Sequence, residues 1–120
     1  MRIVIDGDSV ALDRPDNWPS ILRTEHDLDV ICLASHQAIT TDILHRLNDA
    51  IKHNPEWYYL QLGQWSCNHQ SYFTFRDDLS HIVAKLHGNH IKVCLMTPPP
   101  AFKQVDWTSD VIREIGRAHV

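Results

Sequence analysis

The chain has 120 residues, a formal net charge of −4, and hydrophobic and charged shares of 43% and 22%, which are those of an ordinary globular protein. That length suits one domain, residues 1–120, able to bury roughly 65% of its unfolded surface without staples. No block of Lys or Arg offers a footprint for nucleic acid, and no apolar run nears the ~18 residues that span a bilayer, so neither is an expected partner.

Three cysteines (Cys32, Cys67, Cys94) are an odd number without CxxC spacing. Cys32 and Cys94 lie in apolar runs and read as reduced core residues, so a cytoplasmic location is expected. Arg2 runs straight into Ile-Val-Ile and Asp6, too short a stretch for the apolar core of a signal peptide. The nine histidines read as separate surface or half-buried imidazoles rather than a shared metal site; no metal and no cofactor is expected.

Ile3-Val4-Ile5 predicts a short strand buried on both faces. Gly7 breaks it, and Asp8-Ser9 follows, which places a hydroxyl at the carboxyl end of the first strand. Val10 to Trp18, rich in Asp, Arg, Asn and Pro, reads as a loop. Trp18-Pro19 opens a short helix, with proline tolerated in the first turn. Leu28 to Ala34 is a second apolar strand. Thr40 or Thr41 is expected to cap the next helix, whose Ile43, Leu44, Leu47, Ala50 and Ile51 share a face.

Trp57 to Leu62 is the third strand, broken at Gly63, and Gly63 to Gln70 reads as a loop. A helix carrying Phe75, Leu79, Ile82, Val83 and Leu86 on one face ends at Gly88-Asn89. Ile91 to Met96 is the fourth strand, which the Pro98-Pro99-Pro100 run ends. A last helix, Asp106 to Val120, turns Val111, Ile112, Ile115 and Ala118 inward. Apolar strands alternating with amphipathic helices specify an α/β fold. The expectation is a three-layer, flavodoxin-like sandwich with a parallel sheet of about four strands covered on both faces.

Right-handed crossovers gather the loops after the strands at one edge: Gly7-Asp8-Ser9, Ser35-His36-Gln37, Gly63-Gln64-Trp65-Ser66 and Thr97-Pro98. That convergence serves catalysis and binding alike. Each residue also has a plain structural reading. Ser9 can cap a turn, Gly63 can end a strand, Trp65 can anchor its loop, and His36 and His69 can be solvated loop residues.

Five blocks in order resemble the SGNH, or GDSL, hydrolases: Gly7-Asp8-Ser9-Val10 after the first strand, Trp18-Pro19 with Leu22, Thr41 to Leu47, Pro55 to Gly63, and Lys92 to Pro100. The resemblance covers essentially the whole chain and implies a serine ester hydrolase, an esterase or deacetylase, of SGNH-hydrolase fold. Ser9 would attack the ester carbonyl, with the Ser9 N–H and donors from the second and third blocks holding the oxyanion. Here Ser35-His36-Gln37-Ala38 stands where the family has a glycine, and Trp65 stands where it has an asparagine; Asn68 lies three residues on. The family's Asp-x-x-His is expected after the last helix, beyond Val120, since Gly116 precedes His119 at the required spacing.

Three readings follow. In the first, Ser9 and Asp8 act with His36 or His69 as base, Gly63, Trp65 and Asn68 line the oxyanion and binding side, and the substrate is a small-molecule ester or an acylated glycan. In the second, the chain keeps the SGNH fold without catalysis and binds a partner or ligand. In the third, Asp6 and Asp8 resemble the opening of PIN/NYN-type nucleases and hold Mg²⁺. A fourth strand near the sheet edge leads us to expect a homo-oligomer, most simply a dimer through that edge or through the last helix.

Overall fold

The computed structural model describes residues 1–63, 65–97 and 107–118. The proline run at 98–100 and His119 lie outside the described residues. Among the described residues four strands form one parallel sheet: β1 (Arg2–Gly7), β2 (Asp29–Cys32), β3 (Trp57–Gln61) and β4 (Lys92–Met96), in the order β2-β1-β3-β4. Ile3 faces Val30 on one side and Trp57 on the other, and Trp57 faces Lys92. All four predicted strands are present; β1 runs longer than the Ile3-Val4-Ile5 core expected, and β2, β3 and β4 are trimmed by up to a few residues at their ends.

Among the described residues five helices connect and cover them: α1 (Trp18–Glu25), α2 (Thr40–Lys52), α3 (Ser66–His69), α4 (Tyr72–Gly88) and α5 (Trp107–Ala118). The alternation of side chains along a strand divides the core in two. Val4, Tyr58 and Leu60 point to one face, where α2, α4 and α5 bury Ile43, Leu47, Phe75, Leu79, Ile82 and Val111 against them. Ile3, Ile5 and Val30 point to the other, beneath Trp18 and Leu22 of α1. Both faces are therefore covered, as expected, but unequally. Lys92 reaches over the Trp57 ring at 5.6 Å on the α1 side, near the β4 end of the sheet.

Three local expectations are corrected. Ser9–Ala11 is a single 3-10 turn rather than open loop, because the Asp8 carboxylate accepts the Val10 N–H. Ser66–His69, also expected as loop, is one helical turn. Neither threonine caps α2: the Asp42 carboxylate reaches back to the Ile39 N–H at 2.9 Å, while the Thr40 hydroxyl is buried and donates to Asp78 at 2.6 Å. At α1, Asn17 does cap, accepting the Trp18 N–H and donating its amide to the carbonyls of Val10 and Leu12.

Candidate active site

β1 lies between β2 and β3, so the chain crosses to one side of it after β1 and to the other after β2, and open α/β sheets place ligands at the carboxyl edge of such a reversal. Main-chain bonds fasten the loops around it. The Asp8 N–H donates to the Gln61 carbonyl at 3.1 Å, and the Ser35 N–H donates to the Gly7 carbonyl at 3.1 Å. The loops after β1, β2 and β3 thus adjoin.

Gly7 makes the close approach to β3 feasible. Its φ is 147°, and a Cβ there would run into the Gln61 carbonyl oxygen. The chain then turns sharply, burying Asp8 and leaving Ser9 exposed. Asp8 Oδ1 accepts from Val10 N at 3.1 Å. Oδ2 is buried and has no partner among the described residues. Burial pushes the Asp8 carboxyl up from its ordinary value, against the pull of the Val10 and Trp65 amides. Among the described residues nothing accepts from the Ser9 N–H, which leaves a main-chain donor beside the exposed hydroxyl.

Across the crevice, Gly63 takes φ 124° and its carbonyl accepts from Thr108 Oγ1 of α5 at 3.4 Å. Trp65 follows at the start of α3, with the imidazole of His69 stacked on its indole. The centroids are 3.7 Å apart and the planes 6° from parallel, with His69 Nδ1 2.9 Å from the Trp65 carbonyl oxygen. Asn68 lies in the same turn; its side chain is outside the description. On the β2 side, His36 is exposed in a turn that Gln37 completes with φ 58°.

Trp65 and His69 therefore form one stacked, hydrogen-bonded pair on the loop after β3. Ser9 stands on the loop after β1, and His36 stands on the loop after β2. Among the described residues, the Ser9 hydroxyl has no hydrogen bond to either histidine. Catalytic bonds are often long before substrate binds, so that geometry does not disqualify either.

The metal reading of Asp6 is corrected. Its carboxylate is wholly buried and engaged on both oxygens: Arg46 reaches Oδ1 at 2.7 and 3.0 Å, Tyr58 donates its hydroxyl to Oδ2 at 2.9 Å, and the Gly7 N–H donates to Oδ1 at 2.8 Å. No free lone pair faces a site where Asp8 could join it on a cation. Burial raises the Asp6 carboxyl above its ordinary value, with Arg46 and Tyr58 pulling it down, and burial together with the Asp6 charge holds the Tyr58 hydroxyl well above its own.

Arg46 and Tyr58 were missing from the sequence-based site. Arg46 also donates to Ser35 Oγ at 2.8 Å and to the Gly7 carbonyl at 3.3 Å, so one guanidinium clamps the loops after β1 and β2. The available signal was Asp6 itself, since an acid in a buried apolar strand needs a cationic or hydrogen-bonding partner.

No family model and no curated protein matches this sequence. Solved structures do. The psychrotrophic esterase EstA from a Pseudoalteromonas species is similar at TM-score 0.84 and 17% identity over 98% of this chain and 73% of its own. The SGNH-hydrolase family esterase AlinE4 is similar at TM-score 0.76 and 22% identity, over 98% of this chain and 71% of its own. A protein described as lipolytic, of the G-D-S-L family, from Desulfitobacterium hafniense is similar at TM-score 0.76 and 22% identity, over 98% and 68%. The fold of this chain is that of the SGNH hydrolases, as the sequence motifs led us to expect.

Proposed function

We propose that this chain, an SGNH-hydrolase fold with Ser9 at its crevice, is a serine ester hydrolase acting on small-molecule esters or acylated glycans. The observation that carries it is the Ser9 turn. Gly7 and the buried Asp8 present an exposed hydroxyl next to an unused main-chain N–H at the sheet's switch point. In this reading Ser9 is the nucleophile and Asp8 shapes its turn. The Ser9 N–H and the loop carrying Gly63, Trp65 and Asn68 bind the oxyanion and the acyl group, and His36 or His69 takes the proton.

The test is turnover of p-nitrophenyl acetate and butyrate by the wild-type chain and by Ser9→Ala. The reading expects saturable hydrolysis that falls by 100-fold or more in the variant. Equal rates in both would contradict it.

The competing reading is a binding protein that keeps the crevice without chemistry. It draws on the Ser9 hydroxyl, which among the described residues has no hydrogen bond to His36 or His69. Ligand binding unaffected by Ser9→Ala, with no turnover, would favour it.

We also take residues 1–120 as one domain that pairs with a second copy through β4. This strand lies at the end of the sheet and is half-buried or exposed along its length. Light scattering at micromolar concentration is expected to give a dimer, and a strict monomer would contradict it. A cytoplasmic location accords with the free Cys32 and Cys94. No described helix is long and apolar enough to cross a membrane.

A further inference from the structure

We infer that Gln70 is a positioning residue, holding the loops after β2 and β3 at the separation that ester hydrolysis at Ser9 requires. The inference rests on the reading of Ser9 as nucleophile and adds what keeps the surrounding loops in place.

The loop after β1 is fastened to its two neighbours by main-chain bonds at the strand ends, from Asp8 N to the Gln61 carbonyl and from Ser35 N to the Gly7 carbonyl. The loops after β2 and β3 are joined to each other at their far ends, where Gln70 meets Thr40. Gln70 Nε2 donates to Thr40 Oγ1 at 2.7 Å, and Gln70 Oε1 accepts from the Thr40 N–H at 3.3 Å. The Thr40 hydroxyl in turn donates to Asp78 Oδ2 at 2.6 Å. The main-chain N–H of Gln70 donates to the Ser66 carbonyl at 2.9 Å, closing the α3 turn. One residue therefore ends α3 and docks it on the first residue of α2.

Donors and acceptors along this chain match. A carboxylate only accepts, so the Thr40 proton goes to Asp78 and an oxygen lone pair is left for Gln70 Nε2. The Thr40 N–H only donates, so it takes the amide oxygen; turning the amide over would set two donors against each other. The first main-chain donors of a helix lack partners within it, and Gln70 supplies one from 30 residues along the chain. Thr40 is wholly buried and Gln70 half-buried, so water competes poorly for these bonds.

In the proposed reaction the loop carrying Gly63, Trp65 and Asn68 binds the oxyanion and the acyl group. Oxyanion donors are effective because they are in place before the charge develops. The Gly63 end of this loop is held by β3 and by Thr108 of α5, and the Gln70 end is held by Thr40. Releasing the second end frees the turn between them, and a misplacement of roughly 1 Å can cost about 100-fold in rate.

The plain alternative is that these bonds add stability and nothing more. Turnover of p-nitrophenyl butyrate separates the cases, measured for wild type, Gln70→Ala, Thr40→Val and Thr40→Ser where circular dichroism shows each chain folded. Thr40→Ser keeps the hydroxyl and both bonds to Gln70, whereas Thr40→Val keeps the shape and removes the hydroxyl. Should Thr40→Val not fold, Gln70→Ala and Thr40→Ser carry the comparison.

Gln70→Ala and Thr40→Val are expected to lower kcat about 10-fold or more with KM within about threefold, the pattern of an interaction that matters in the transition state. Thr40→Ser is expected to stay within about threefold of wild type, and the double variant Gln70→Ala/Thr40→Val to lose no more than either single one, since both break the same link. Wild-type kcat in Gln70→Ala or in Thr40→Val would overturn the inference and leave Ser9 as nucleophile. A rise in KM alone, or a loss that Thr40→Ser shares in full, would also overturn it, assigning Gln70 to substrate contact or the effect to packing. A wild-type chain without turnover would defeat the nucleophile reading itself, and this inference with it.

Discussion

Arg46 reaches from α2 to the buried Asp6 in β1, with Nη2 2.7 Å from Oδ1 and Nε 3.0 Å from the same oxygen. The Asp6 side chain is wholly inaccessible and that of Arg46 is 22% exposed, so the pair is shielded from screening by solvent. Removing only the cation strands a buried carboxylate. Arg46→Ala is expected to destabilise the chain by about 3 kcal/mol in urea unfolding. Replacing both partners, Asp6→Leu with Arg46→Met, is expected to recover most of that loss. It leaves a residual cost of about 1 kcal/mol, because the Tyr58 hydroxyl and the Gly7 N–H lose their acceptor. A double variant no more stable than Arg46→Ala would show that the pair does not matter in this way.

Gly7→Ala tests the approach of β1 to β3. The added methyl meets the Gln61 carbonyl at a φ of 147°, which L side chains rarely adopt, and main-chain atoms on both sides must yield. A loss of roughly 2–3 kcal/mol is expected, together with loss of any Ser9 reactivity, since the same turn presents the hydroxyl. Unchanged thermal stability would mean that the turn is not held as described.

Asp8→Asn tests the buried carboxyl beside Ser9. The Asp8 carboxyl is raised in the folded chain, so the folded state binds its proton more tightly than the unfolded state does. Stability from this group is then greatest below its ordinary value of 3.8 and falls as pH rises through the raised one. The amide cannot ionise and keeps an oxygen for the Val10 N–H. Asp8→Asn is expected to stabilise the chain at pH 7 by roughly 1 kcal/mol, with the gain vanishing toward pH 3. A gain that is constant with pH would contradict this origin.

The sheet was legible because its strands are short apolar runs and its helices repeat at 3.6 residues. Ile3-Val4-Ile5, and the face carrying Phe75, Leu79, Ile82, Val83 and Leu86, appear in the structure where periodicity puts them. Single turns were not legible. Ser66–His69 is too short to show a period, and its partner Trp65 became meaningful only through the stacked ring. The clamp on Asp6 was hidden for another reason. Arg46 and Tyr58 lie 40 and 52 residues away, and nothing local says which cation or hydroxyl a buried acid will meet. Thr40 misled because a threonine at a helix start usually caps, whereas here packing buries it against Asp78.

The account stands on Ser9 being an activated hydroxyl, and a fluorophosphonate probe reads that directly. Such probes phosphonylate, with loss of fluoride, a serine whose proton a base can take. After incubation, intact mass should show one adduct on the wild-type chain, mapping to the peptide that holds Gly7-Asp8-Ser9, and none on Ser9→Ala. A wild-type chain that stays unmodified, or an adduct that persists in Ser9→Ala, would contradict the account and turn attention to what the crevice binds.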